Sequence, residues 1–226
     1  MRRRPKRVAA FALPLPKAPC CLGPMDMPNF DEEALCRQNG ALMIAGVDEV
    51  GRGPLAGPVT AAAVVLDPSN VPAGLNDSKK LSASRRSVLA SEIEASATVS
   101  IAHASVEEID ELNILRASHL AMARAISGLP RMPCHALIDG NLLPRDKPCP
   151  ATPLIKGDGR SLSIAAASIV AKVMRDRIME DLAQQHPGYG WEKNAGYPTR
   201  AHREAIQNLG ITPHHRRSFK TVHNML

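Results

Sequence analysis

Aromatic residues are scarce in this chain: three Phe, two Tyr and one Trp make up 3% of 226 residues. Ala, Val, Leu and Ile must therefore fill the core, and a hydrophobic content of 44% is enough for that. The length suits one sizeable domain, or one domain with an appendage. No run of ~18 consecutive apolar residues occurs, so no membrane-spanning helix is expected. The five cysteines (Cys20, Cys21, Cys36, Cys134 and Cys149) are odd in number and lack C-x-x-C spacing. That pattern argues against a disulfide framework and a zinc site, and it fits a reducing, cytoplasmic setting. No role is read for Cys20 and Cys21.

The formal charge is +6, but its distribution matters more than its sum. Residues 1–40 carry seven Lys and Arg against four Asp and Glu, which leaves the rest at only +3. A mildly basic body is compatible with a polyanionic partner without establishing one. The start, Met1-Arg-Arg-Arg-Pro-Lys-Arg7 followed by a short apolar stretch, has the outline of a signal peptide. Pro14 and Pro16 break that stretch, and no convincing cleavage site follows. Residues 1–38 are read as a flexible, basic, Pro-rich extension, and residues 39–226 as the folded domain.

Within 39–226 the pattern alternates as in a mixed α/β domain. Strands are expected at Ala41–Val47, Gly57–Leu66, Thr98–Val106, His135–Ile138 and Thr152–Ile155. Helices are expected at Ser82–Ala95, Glu107–Ser127 and Ser161–Gln184. From about residue 186 a Gly-, Pro- and His-rich stretch reads as a small helical appendage, with helix around Thr199–Asn208.

Chemistry gathers first at Asp48-Glu49, which closes the apolar run Ala41–Val47 and precedes Val50-Gly51-Arg52-Gly53-Pro54. Adjacent carboxylates at a buried strand exit repel each other and lose hydration, a cost that a hard divalent cation such as Mg²⁺ or Mn²⁺ removes. The glycine loop offers backbone N–H groups and a guanidinium, both suited to a phosphodiester. Two solvated acids at a strand end are the plain alternative. Asp139 ends a second apolar strand, where a turn-forming role is the ordinary reading. Asp176 lies four residues after Lys172 on the last long helix, so a surface ion pair is its ordinary reading. The blocks Asn76–Leu81, with Lys79 and Lys80, and Lys156–Ser161, with Arg160, place basic and small polar residues before helices. Anions are favoured there, although plain helix caps would look the same.

Taken together, Ile44–Pro58, Asn76–Leu81, Ile138-Asp139-Gly140, Lys156-Gly157-Asp158, Ile164–Asp176, Gly196–Thr199 and Gly210–Phe219 resemble the type 2 ribonucleases H, ribonuclease HII in particular. The match runs in order over about residues 41–220. It implies a ribonuclease H-like α/β fold, a mixed sheet flanked by helices with a small helical C-terminal part. It further implies cleavage of the RNA strand of RNA–DNA hybrids and nicking 5′ of single ribonucleotides in duplex DNA. The products would carry 3′-hydroxyl and 5′-phosphate ends, and the cofactor would be Mg²⁺ or Mn²⁺.

By the same resemblance Asp48, Glu49, Asp139 and Asp176 hold the metals, while Gly51, Arg52, Gly53 and Tyr197 read the RNA–DNA junction. Lys79, Lys80, Lys156 and Arg160 are expected phosphate contacts, and Ser78 and Ser168 lie behind the acids. Arg52 and Asp176 separate the chain from ribonuclease HIII, which has Lys between the glycines and Glu as fourth acid. No obligate protein partner is implied, so a monomer is expected. Two readings from other classes remain: an idle nucleic-acid binder on the same fold, and a phosphohydrolase of small esters.

Overall fold

A computed structural model describes residues 27–225. In chain order the elements are α1 (Asp31–Gln38), β1 (Ile44–Val50), β2 (Val59–Val65), α2 (Ala83–Ser96), β3 (Thr98–Ala104), α3 (Val106–Leu112), α4 (Ile114–Ser127), β4 (His135–Asp139), β5 (Ala151–Leu154), α5 (Leu162–Gln185), α6 (Trp191–Asn194), α7 (Arg200–Leu209) and α8 (Lys220–His223). The five strands form one mixed sheet in the order β3-β2-β1-β4-β5. β1, β2 and β3 are antiparallel neighbours, whereas β1, β4 and β5 run parallel.

Strand side chains alternate between the two faces, and the small residues of β1 and β2 let both faces be covered. Ala45, Val47, Ala61 and Ala63 pack with Ala117, Ala121, Met122 and Ala125 of α4. Ala62 and Val64 pack on the other side with Ala165, Ala166, Ile169 and Val170 of α5, and Leu89 and Ile93 of α2 complete that layer. Contact between α5 and β1 is unusually close at Gly46, where an added Cβ would lie 2.0 Å from the Ser163 carbonyl carbon. A third cluster, including Leu55, Met179, Tyr189, Trp191 and Ile206, seats the C-terminal helices on the end of α5 and on the β1–β2 loop.

Two expectations need correction. The helix expected over Glu107–Ser127 is two helices, divided at Asn113 with φ 72°. Asn is tolerated there because its short side chain bonds locally, and its Oδ1 caps α4 by accepting from the N–H groups of Leu115 and Arg116. The apolar periodicity carries straight across this break, so it gives no sign of one.

The second correction concerns the extension. Most of it lies outside the described residues, but Asp31–Gln38 is α1, docked on the domain. Buried Glu33 accepts hydrogen bonds from Ser161 Oγ (2.6 Å) and Ser163 N (2.9 Å), capping α5 from 128 and 130 residues away. Asn29 adds backbone hydrogen bonds to Arg160 and Leu162. A carboxylate is favoured at a helix N-terminus, which explains why a polar, tail-like segment folds back here.

Candidate active site

The parallel register pairs Val47 with Ile138, so the next residues, Asp48 and Asp139, lie side by side at the carboxyl ends of neighbouring strands. Ligand sites in α/β sheets favour such strand ends. Glu49 follows Asp48 on β1 and points to the other face. Asp48, Glu49 and Asp139 all line one cleft of about 340 Å³, together with Gly51, Arg52, Gly53, Ser78, Lys79, Ser168, Lys172 and Tyr197. A small adjoining hollow contains Glu49, Arg52 and Asp139 with Ser118 and His119 of α4.

Each acid is held by local structure. Asp48 Oδ1 accepts from Glu49 N at 2.7 Å, and Asp139 Oδ1 accepts from Gly157 N at 2.7 Å. Glu49 Oε1 receives Arg52 Nη1 at 3.2 Å, while Glu49 Oε2 is buried without a hydrogen-bond partner. Burial, then the charges of Glu49, Asp139 and Asp158, raises the Asp48 pKa well above the usual carboxylate range. Burial also raises that of Glu49, partly opposed by Arg52. Desolvation disfavours the charge on Lys79, yet Asp158, Asp77, Asp48 and Asp139 outweigh it and push its pKa up. Ser168 Oγ donates to Ser78 Oγ at 2.8 Å, tying α5 to the short turn that carries Lys79.

The expected residues are not all brought together. Asp176 is paired with Lys172 Nζ at 2.7 Å and lines a different groove with Arg86 and Glu180, whereas Lys172 itself lines the cleft of the other three acids. Lys80 and Lys156 are exposed and do not line the cleft. Arg160 is spent on Glu32 of α1 rather than facing the cleft. Tyr197 is 41% exposed at the rim, and an added Cβ on Gly53 would meet its Cε1 at 3.5 Å. Asp158 and His119 belong to the site's surroundings although neither is among the expected site residues. Asp158 follows Lys156 in a motif that reads as a helix cap, and no pattern marks His119.

As the side chains stand, no three His, Cys, Asp or Glu among the described residues are arranged to hold a metal ion. The donor set nonetheless suits a hard divalent cation. It offers oxygen ligands only, Asp48 strongly destabilised as an anion, and a buried Glu49 oxygen with nothing to bond.

A mixed sheet carrying carboxylates at the ends of adjacent parallel strands, beside a glycine loop, defines a ribonuclease H-type nuclease. The ribonuclease HII family model matches residues 45–222, and the chain belongs to that family. Ribonuclease HII of Ruegeria pomeroyi is 69% identical over 202 residues, covering 89% of this chain and 86% of its own. That of Ruegeria sp. (strain TM1040) is 62% identical over 225 residues, covering 99% and 98%. Among solved structures, ribonuclease H2 from Pyrococcus horikoshii is 28% identical with a TM-score of 0.68, covering 81% of this chain and 97% of its own. Bst-RNase HIII in complex with Mn²⁺ shares the fold at 21% identity and a TM-score of 0.68, covering 84% and 70%. The chain is therefore a ribonuclease H, a divalent-metal-dependent endonuclease acting on RNA–DNA hybrids. No helix of the described residues is long and apolar enough to cross a membrane.

Proposed function

We propose that this enzyme hydrolyses the RNA strand of hybrids and also nicks duplex DNA 5′ of a single embedded ribonucleotide, leaving 3′-hydroxyl and 5′-phosphate ends. The observation that carries the reading is the sharing of one cleft by three carboxylates, the Gly51-Arg52-Gly53 loop and Tyr197. A nuclease indifferent to the sugar needs only the acids. The 2′-hydroxyl is what separates ribose from deoxyribose at a given site, so a second element must sense it.

Asp48, Glu49, Asp139 and Asp176 would hold two Mg²⁺ or Mn²⁺ ions, which would supply an activated water and charge stabilisation for the leaving 3′-oxygen. Of these, Asp48 would serve both ions, Glu49 and Asp139 one of them and Asp176 the other. Lys172 engages only Oδ1 of Asp176, which leaves Oδ2 for an ion, and the Lys172 side chain lines the cleft, where its ammonium would meet a phosphate oxygen. Glycines at 51 and 53 keep Cβ atoms out of the sugar's path. The Tyr197 ring stacks on the neighbouring deoxyribose. Lys79 contacts a phosphate from the cleft wall, while Lys80 and Lys156 contribute charge from outside it. Residues 39–226, with α1, make up the catalytic body, which acts as a cytoplasmic monomer in removing misincorporated ribonucleotides and RNA primers.

Labelled duplex DNA containing one ribonucleotide, incubated with protein and Mn²⁺ or Mg²⁺, tests this. One cut on the 5′ side of the ribonucleotide supports the reading. Binding without nicking, or hydrolysis confined to uniform hybrids or to small phosphate esters, refutes it.

A further inference from the structure

Two arginines, Arg175 on α5 and Arg216 before α8, are 0% exposed, and no ion pair among the described residues involves either. Burial pushes both pKa values down, Arg175 to about 10 and Arg216 to about 9, still above neutrality. Burying a guanidinium without a carboxylate is costly, and a fold needing only packing here would be better served by Leu or Met. The compensation lies in the β1–β2 loop.

Arg216 Nε donates to the Gly57 carbonyl, Nη1 to those of Arg52 (3.2 Å) and Pro54 (2.8 Å), and Nη2 to those of Gly51 (2.7 Å), Gly57 and Pro58. Its backbone N–H takes the Leu55 carbonyl at 2.8 Å. Arg175 donates to the carbonyls of Ala56 (3.1 Å) and Pro58 (3.1 Å). From Gly51 to Pro58, every carbonyl except that of Gly53 therefore bonds to one of these two residues. In a trans peptide the following N–H points opposite to the carbonyl. Anchoring the Gly51 and Arg52 carbonyls inward thus turns the N–H groups of Arg52 and Gly53 away from the core.

The same pair reaches the tyrosine side. Arg175 Nη1 donates to the Ala195 carbonyl at 2.9 Å, and Leu55 N–H donates to the Gly196 carbonyl at 2.7 Å. The backbone one and two residues before Tyr197 is therefore keyed to the loop. Gly51, at φ 96°, is packed so closely that an added Cβ would lie 2.2 Å from Arg175 Nε.

We propose that Arg216 and Arg175 are positioning residues for sugar recognition: their two buried forks fix the shape of the Gly51–Pro58 loop and its spacing from Tyr197. The inference rests on the reading that this loop and tyrosine sense the RNA–DNA junction. It adds which residues set that specificity from inside the fold. Lysine in place of either arginine keeps the charge but has no planar fork and cannot donate to so many carbonyls at once.

The test compares single-turnover nicking of a one-ribonucleotide duplex with hydrolysis of a uniform RNA–DNA hybrid, in wild type, Arg216→Lys and Arg175→Lys. Wild type that spares the one-ribonucleotide duplex would defeat the underlying reading before any variant is made. With wild type active on both, Arg216→Lys should lower the ratio of the two rates by tens-fold, toward the ~100-fold penalty of a 1 Å misplacement. Arg175→Lys should lower it less, since it holds fewer carbonyls. A common factor on both substrates that tracks a lowered Tm, or an unchanged ratio, would overturn the proposal. Should neither variant fold, NMR of wild type decides. The Arg216 Nη protons should show hindered rotation and slow solvent exchange, whereas averaging like that of the exposed Arg52 would overturn the positioning role.

Discussion

The two halves of the cleft are finished to different degrees by folding. The glycine loop is over-determined: its carbonyls are met by two buried guanidinium groups, and it is tied by backbone to the segment before Tyr197. The acid half is left in tension, with Asp48 destabilised as an anion, Glu49 Oε2 unbonded and Asp176 held by Lys172. For the proposed sugar recognition, the first half needs only to be shaped in advance. The second has charge in excess of its protein partners, and a cation would relieve that excess. On the proposed reading, recognition would be built into the apoprotein, whereas a cation would complete the acid half.

The sharpest way to break this contrast is at Asp48. Asp48→Asn should reduce turnover at least about a thousandfold in single-turnover assays, with duplex binding retained, because recognition does not depend on the acids. Loss of binding in step with activity would mean that the two halves are not separable.

Acid should strain the recognition side. His215 is buried, and burial, aided by His202, lowers its pKa to about 4. Its Nδ1 accepts from Thr212 N (2.9 Å), and its Nε2 lies 3.2 Å from Nε2 of His202, which also receives Trp191 Nε1. His202 Nδ1 then meets the Tyr197 carbonyl at 2.9 Å. The ring is neutral in the fold, so above pH ~6.5 it costs nothing. As pH falls from about 6.5 to about 4 the unfolded chain takes up a proton that the folded one refuses. Stability should drop by roughly 3 kcal/mol over that window and then level off. Melting curves at pH 7 and pH 5 check this, and His215→Gln should flatten the dependence.

A third effect concerns α5, which serves both halves. Deleting residues 1–38 removes the Glu33 cap and should cost about 2 kcal/mol by denaturant titration, whereas deleting 1–26 keeps it. Tyr197→Ala is expected to lower nicking at a single ribonucleotide about tenfold while affecting uniform hybrids less, as judged by the ratio of rates. Lys80→Gln and Lys156→Gln should change either rate less than about twofold at moderate salt, since neither side chain lines the cleft.

Much of this was legible in the chain, for physical reasons that can be traced. Asp48-Glu49 and Asp139 stand out because carboxylates at the ends of apolar strands are conspicuous, and the parallel pairing of those strands brings them together. Strand and helix positions follow from periodicity to within a few residues. What stayed hidden depends on long-range partners. Glu33 looks like one more charge in a polar tail until Ser161 and Ser163 arrive from beyond residue 160. Arg160 reads as a phosphate contact until Glu32 claims it. Arg175 and Arg216 sit in basic stretches that suggest exposed charge, and nothing local announces that the fold encloses them. Only the family resemblance points to Asp176 as a metal-holding acid, since its partner in the fold, four positions earlier, is the ordinary helical ion pair.

The missing side chain at Gly46 has one more implication. Because backbone nearly touches backbone there, the gap between sheet and covering helix is a single fixed measure, shared by Ser168, Lys172, Arg175 and Asp176 further along that helix. One methyl group inserted at this point, two residues before Asp48 on the same strand, would tilt the whole rod outward. It would blunt cutting and sugar discrimination together, so sequence drift at a bland position can imitate damage to the chemistry itself.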